Sequence, residues 1–306
     1  MKKEKIIIGT RNSKLALIYA QNVKNKILDN SDLKDDQIVI KGIVTKGDQV
    51  QNKRLSDVGG KGLFSKNIEL ELLTGNIDIA VHALKDMPAD ETKGLLSNFF
   101  LKRNDPREIL ISRDHNKLEN LKSKSIIGTS SFRREFQIKR LNEDISCKLI
   151  RGNVDTRLKK LKEGLYDAII LSLAGIKSLD LEKEITQIFL LKEIIPSAGQ
   201  GVISAQCKEN NLEIIKLLNK INDPDTFKCA VAERNVLKIL EGDCETAVGA
   251  HAILKDDMIT LEAELFSLDG SQRFFEKLTK NKSEFDTIGL EIGKILKEKS
   301  RGNYKK

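Results

Sequence analysis

The 306-residue sequence is poor in the residues that cross-link or metallate a fold, with four cysteines and three histidines. Cys147, Cys207, Cys229 and Cys244 form no CxxC pair and are too sparse for a disulfide scaffold. His82, His115 and His251 stand at no metal-ligand spacing from one another or from a cysteine, so no metal is expected. Long apolar runs are missing as well. Met1 to Lys5 lead into Ile6-Ile7-Ile8 and then Gly9, which is too short for a signal-peptide core. The longest apolar stretch, near Ala168 to Ile176, is interrupted by Ser172 and cannot span a bilayer. A cytoplasmic location without membrane association is the expectation.

With 40% hydrophobic and 32% charged residues, the chain reads as globular and long enough for two or three domains. The net charge of +8 comes largely from scattered lysines, the pattern of a solvated basic surface. Nucleic-acid binding would also use such charge, but no helix-turn-helix, zinc finger or aromatic RNA-binding motif accompanies it. The arginines instead fall in short clusters beside turns, as a polycarboxylate or phosphate ligand would require.

Short β-rich runs alternate with helical patterns. Lys5–Gly9, Ile38–Thr45 and Ile77–His82 read as strands, and Ala16, Ala20, Val23 and Ile27 share one helical face. Ser125–Gly128, Cys147–Ile150 and Ala168–Leu171 repeat the design, with Val154, Leu158, Leu161 and Leu165 on a helix between the last two. Such alternation implies mostly parallel sheets covered by helices. Asn104-Asp105-Pro106 and Ile195–Gly201 look like two crossings between lobes, which would make a hinged cleft. After Asn222-Asp223-Pro224 the pattern becomes one helix, two β-like runs (Val248–Leu254 and Met258–Phe266) and a last helix, a separate α+β domain. The divisions fall at 1–103 with 200–222, 104–199, and 223–306.

Three strand ends carry arginines. Gly128-Thr129-Ser130-Ser131-Phe132-Arg133-Arg134 joins hydroxyls at a helix start to two guanidinium groups, an anion site in form. A capped helix with two surface arginines explains that segment equally when it is taken alone. Arg151-Gly152-Asn153-Val154-Asp155-Thr156-Arg157 repeats the arrangement, and Arg11 follows the first strand. Ligands of open α/β folds gather at such carboxyl ends of strands. Val81–Pro88 ends a strand in Lys85-Asp86, either an exposed ion pair or, in a basic cleft, a lone carboxylate able to stabilise developing positive charge. Cys244 sits in the loop Gly242-Asp243-Cys244-Glu245, where a thiol can be reached; the flanking acids do not favour a thiolate, and an incidental loop cysteine stays open. Cys147, Cys207 and Cys229 lie in regular or apolar segments, as buried thiols do.

Taken in order, Gly9-Thr10-Arg11-Asn12-Ser13, Val58–Phe64, His82–Pro88, Gly128–Arg134, Arg151–Arg157, Tyr166–Leu171, Gly199-Gln200-Gly201 and Glu233-Arg234 with Leu240–Cys244 form a set. It resembles the hydroxymethylbilane synthase (porphobilinogen deaminase) family, with matching order and spacing from about residue 6 to about 270. The resemblance implies an α/β fold of two lobes like type II periplasmic binding proteins, plus a small C-terminal α+β domain. It implies a dipyrromethane cofactor held by Cys244 through a thioether, with Lys85, Asp86, Thr129, Ser131, Arg133, Arg134, Arg151 and Gly152 around it. Porphobilinogen is then bound by Arg11, Ser13, Lys61, Phe64, Arg151, Arg157 and Gln200, and Asp86 is catalytic. The implied activity is that of a transferase in porphyrin, tetrapyrrole and haem biosynthesis. Four porphobilinogen molecules are deaminated and condensed head to tail, releasing linear hydroxymethylbilane and ammonia. A cytoplasmic monomer with no nucleic-acid or membrane partner is implied too.

Four positions depart from the family pattern. Ala83 replaces a usual Ser, Asp243 a usual Gly, Ser178 an Arg found in some members, and Ala247 a common Pro. Two other classes compete with the synthase. A non-enzymatic two-lobed protein for a polycarboxylate ligand would use the arginines but not Cys244 or Asp86, and a nucleic-acid binder would use only the charge.

Overall fold

The computed structural model describes residues 5–49, 62–242 and 246–305, so Lys61, Asp243 and Cys244 lie outside the described residues. The first lobe holds strands β1 (Ile6–Arg11), β2 (Ile38–Ile43), β3 (Ile79–Ala83) and β4 (Leu95–Phe100), with helices α1 (Lys14–Asp29), α2 (Lys46–Gln49) and α3 (Lys66–Thr74). Helix α1 begins at Ser13, whose hydroxyl accepts from the Ala16 N–H, and lays Ala20, Val23 and Ile27 on the sheet. Ile68 and Leu72 of α3 cover the opposite face.

The second lobe holds β5 (Glu108–Ser112), β6 (Ile126–Gly128), α4 (Phe132–Leu141), β7 (Ser146–Lys148), α5 (Val154–Lys162), β8 (Ala168–Ser172), α6 (Leu173–Ser178) and β9 (Gln187–Ile188). The chain then returns to the first lobe through β10 (Ile203–Lys208) and α7 (Leu212–Asn219). The sheets are ordered β2-β1-β3-β10-β4 and β7-β6-β8-β5-β9. In each, three neighbouring strands are parallel and one strand is reversed: β10 between β3 and β4, and β5 between β8 and β9. Each reversed strand is the first to follow a crossing, so the two lobes repeat one topology. The expected mostly parallel, two-lobed architecture is what forms.

The crossings lie against each other. The Asn104 N–H donates to the Gly201 carbonyl at 2.8 Å. Gly201 has φ +81°, and a Cβ there would stand 2.5 Å from the Asn104 carbonyl oxygen, so only glycine fits.

The C-terminal domain packs α8 (Pro224–Leu240) and α9 (Phe285–Ser300) on a sheet β11 (Val248–Lys255), β12 (Met258–Phe266), β13 (Arg273–Asn281). Here the sequence reading needs two corrections. Two strands were expected, and β13 is a third, an edge strand of alternating exposure that buries Phe274 and Leu278 only in part. Leu165 was expected on the face of α5, but that helix ends at Lys162; Gly164 turns the chain at φ +77° and leaves Leu165 exposed.

The third domain touches both lobes. Phe227 stacks on Phe100 at 6.1 Å, and Phe266 meets Phe136 at 5.7 Å. Between them, buried Glu233 accepts from Arg103 Nη1 at 2.5 Å, the Gly199 N–H at 2.7 Å and the Ala252 N–H at 2.8 Å. Burial alone would raise this carboxyl, but the Arg103 charge and contacts with His251 outweigh it and bring it down to about 2. One acid thus ties both crossings to the C-terminal domain.

Candidate active site

A cleft of about 420 Å³ opens between the lobes, and Leu237, Thr246 and Val248 of the third domain complete its wall. Thr246 is the second residue after Cys244.

The second lobe supplies most of the positive charge. Strand β6 ends at Gly128, and Ser131 caps α4 by accepting from the Arg134 N–H. The first turn of α4 then carries Arg133 and Arg134, which are 5% and 8% exposed. Both bind Glu108, which is fully buried: Arg133 Nη2 at 2.5 Å, and Arg134 Nη2 and Nε at 2.8 and 3.1 Å. Burial raises the Glu108 carboxyl, but the charges of Arg134 and Arg133 outweigh it and bring it down to about 2. Gly152 turns the chain at φ +108°, and a Cβ there would stand 2.7 Å from Thr156. This turn brings Arg151 and Arg157 to the same wall, with Arg157 Nε donating to the Gly152 carbonyl at 2.9 Å. Burial, then the charges of Arg134 and Arg151, lower Arg157 to about 10, which leaves it a cation at neutral pH.

The first lobe mixes signs. Arg11, at the end of β1, lies over the Phe64 ring at 4.0 Å and is gripped by Asp48 through Nε and Nη2. Its Nη1 stands 3.6 Å from Asp86, whose side chain is 32% exposed. Lys85 donates to the Gln200 side chain at 3.1 Å, so Lys85 and Asp86 meet other partners. Burial, then the Arg134 charge, lower Lys85 to about 8. His82, just behind on β3, is pushed by burial down to about 4 and is neutral.

Most of the residues expected at the site therefore meet: Arg11, Ser13, Phe64, Lys85, Asp86, Ser131, Arg133, Arg134, Arg151, Gly152, Arg157 and Gln200 line one cleft. Thr129 is buried behind that wall, its hydroxyl accepting from the Ser131 N–H at 3.2 Å. Lys61 and Cys244 lie outside the described residues. Asn153 stands at the N-cap of α5 without a side-chain capping bond. Cys207 and Cys229 are buried and Cys147 half-buried. Among the departures, Ala247 is buried, and Ser178 donates to the Ala174 carbonyl at 2.9 Å. Sequence reasoning missed Asp48 and Glu108. The only signal for Glu108 is an acid opening the apolar run Ile109-Leu110-Ile111.

Residues 6–216 match the family model described as porphobilinogen deaminase, dipyromethane cofactor binding domain, and residues 227–298 match its C-terminal domain. The chain belongs to the porphobilinogen deaminase family. Porphobilinogen deaminases of Macrococcus caseolyticus and Staphylococcus epidermidis are 39% and 40% identical to it, each over 96% of this chain and 95% of the relative. The Thiobacillus denitrificans protein of that name is 36% identical over 97% of this chain and 96% of its own. The periplasmic VFT2 domain of Bordetella pertussis BvgS gives a distant likeness, with TM-score 0.44 and 11% identity over 71% of this chain and 86% of that domain. Membership of this porphobilinogen deaminase family sets aside the non-enzymatic binding protein. No helix among the described residues is long and apolar enough to cross a membrane.

Proposed function

We propose that this chain has hydroxymethylbilane synthase activity. As a transferase it deaminates four porphobilinogen molecules in turn, losing one ammonia from each, joins them head to tail, and releases linear hydroxymethylbilane by hydrolysis with one water, for tetrapyrrole and haem biosynthesis. The observation that carries this reading is the Asp86 carboxylate, set in a cleft lined by Arg11, Lys85, Arg133, Arg134, Arg151 and Arg157, where Asp48 is taken up by Arg11 and Asp155 lies at the start of α5. Cations alone would suit any polycarboxylate. The acid among them suits a substrate that becomes positive as it reacts.

The donor set fits a dipyrromethane, whose pyrroles carry acetate and propionate groups. Arg133, Arg134, Arg151 and Lys85 would hold those groups, with Ser131 and Gly152 beside them and Thr129 supporting Ser131. Cys244 is the proposed attachment point, through a thioether, and Thr246 two residues on lines the cleft. When bound, the cofactor supplies the free pyrrole α-carbon that receives the first substrate.

Arg11, Ser13, Phe64, Arg151, Arg157 and Gln200 would hold the incoming porphobilinogen, with Lys61 joining them on the resemblance, and Lys85, Arg133 and Arg134 would take carboxylates of the substrate as well as of the cofactor. Fixing both reactants lowers the entropic cost of their meeting. As the substrate C–N bond breaks, its electron pair leaves with ammonia and positive charge remains on the pyrrole. Asp86 stabilises that charge, which arginine cannot do. The domain divisions proposed are 1–103 with 200–222, 104–199, and 223–306. A cytoplasmic monomer without nucleic-acid or membrane partners belongs to the proposal on the resemblance alone.

The test is intact mass of the purified protein together with porphobilinogen consumption. Wild type should carry the added mass of a dipyrromethane and release ammonia. Cys244→Ser should fold, carry no added mass and show no turnover, whereas the serine variants of Cys147, Cys207 and Cys229 keep both. An adduct on any other cysteine refutes the assignment.

A further inference from the structure

We propose that Glu108 is a positioning residue for this reaction, aligning the guanidinium groups of Arg133 and Arg134 so that the two act as one oriented receptor for carboxylates. The inference rests on the functional reading above and extends it to a residue beneath the cleft wall.

Glu108 opens β5, two residues beyond Pro106 of the first crossing, and none of it is exposed. Its Oε1 takes Arg133 Nη2 and Arg134 Nε, and its Oε2 takes Arg134 Nη2. Main-chain carbonyls fix the other ends of both forks: Ile195 holds Arg133 Nη1 at 2.7 Å and Ile170 holds Arg134 Nη1 at 3.2 Å. Each arginine is thus held at two points, although both still line the cleft. Two neighbouring guanidinium groups repel, and each long side chain has rotamers to lose. A carboxylate shared between them removes both obstacles before any ligand arrives.

The charge count separates positioning from neutralisation. One carboxylate against two arginines leaves the group at +1, still a receptor for anions rather than a closed ion pair. The double variant Glu108→Gln/Arg134→Gln restores that +1, whereas Arg134→Gln alone leaves Arg133 and Glu108 at zero. If only charge mattered, the double variant would bind carboxylates better than Arg134→Gln. If Glu108 aligns Arg133, the double variant binds them worse. The two readings predict opposite signs.

The experiment compares these two variants, as purified, for melting temperature, the fraction carrying dipyrromethane mass, and KM and kcat for porphobilinogen. The double variant is expected to show a KM about tenfold above that of Arg134→Gln, with a smaller loaded fraction and kcat less affected. An equal or lower KM with equal loading overturns the proposal. If the double variant does not fold, Glu108→Asp serves instead, keeping the charge on a shorter reach. Its KM should rise a few-fold with kcat retained, and an unchanged KM overturns the proposal. Wild-type protein that carries no added mass and consumes no porphobilinogen overturns the functional reading itself, and this inference falls with it.

Discussion

The two lobes repeat one strand order around one cleft and turn different chemistry into it. The first lobe sets carboxylates within reach of solvent beside its cations, Asp48 and Asp86 around Arg11. The second presents Arg133, Arg134, Arg151 and Arg157, with exposed Asp155 beside the last two, and keeps Glu108, the carboxylate shared by Arg133 and Arg134, buried below them. The backbones are equivalent, so the difference lies in which residues occupy the strand ends. A wall of arginines over a hidden acid grips carboxylates at every stage of a reaction. A carboxylate open to the cleft can respond to positive charge that exists only in the transition state, and only such differential contacts accelerate chemistry. On the proposed function the lobes thereby divide holding from reacting, and the adjoining crossings set both walls on one cleft.

The largest expected effect breaks the reacting side. Asp86→Asn keeps size and hydrogen-bonding capacity and removes the charge, so turnover should fall roughly a hundred- to a thousandfold. Intact mass should still show the dipyrromethane. Near-normal turnover would reduce Asp86 to a partner of Arg11. The complementary change, Arg133→Leu, should spare the chemistry and damage the holding. It removes the contacts to Glu108 and to the Ile195 carbonyl, at a cost of about 1–3 kcal/mol in stability. Mass spectrometry should find the variant poorly loaded or stalled at an intermediate complex, and full loading with slow turnover would erase the division between lobes.

Much of this was legible in the sequence because the site is built at strand ends. Arg11, Asp86, Arg133 and Arg151 all follow apolar runs, and local order alone puts such residues at one edge of a sheet. What stayed hidden depends on distant pairing. Glu108 opens a strand rather than ending one, and its partners are 25 and 26 residues away. Glu233 is an acid on an ordinary helix until Arg103, 130 residues earlier, meets it. Strand β13, Arg-Phe-Phe-Glu-Lys-Leu-Thr-Lys-Asn, escaped because an edge strand buries so little that charged residues are tolerated along it.

Lys85 permits a sharper test, since it belongs to the reacting lobe yet should act as a holding residue. Burial, followed by the Arg134 charge, lowers it to about 8. It is therefore protonated below that pH and loses its charge above it, so carboxylate binding weakens as pH rises. The profile of kcat/KM reports the free enzyme and should fall by up to about tenfold between about pH 7 and 9. Lys85→Arg should stay flat over that interval, and the substrate's own titration is common to both proteins. Parallel profiles would detach Lys85 from carboxylate binding.

The smallest expected effect makes the lobes more alike. In the second lobe β8, the counterpart of β3 in strand order, ends at the hydroxyl of Ser172, whereas the first lobe ends β3 at Ala83. A space of about 50 Å³ adjoins both Ala83 and Asp86, which is room for one oxygen. Ala83→Ser should therefore fit without strain and add one hydrogen bond to a ligand, a contribution of about 0.5–1.5 kcal/mol. That corresponds to a KM for porphobilinogen lowered a few-fold, with kcat within about twofold of wild type. The informative failure is a large fall in kcat with KM unchanged. The new hydroxyl would then be donating to Asp86 and tempering its charge, and the first lobe would work best with no hydroxyl beside its carboxylate. Ala83 would in that case be an adaptation of the reacting lobe rather than a missing contact.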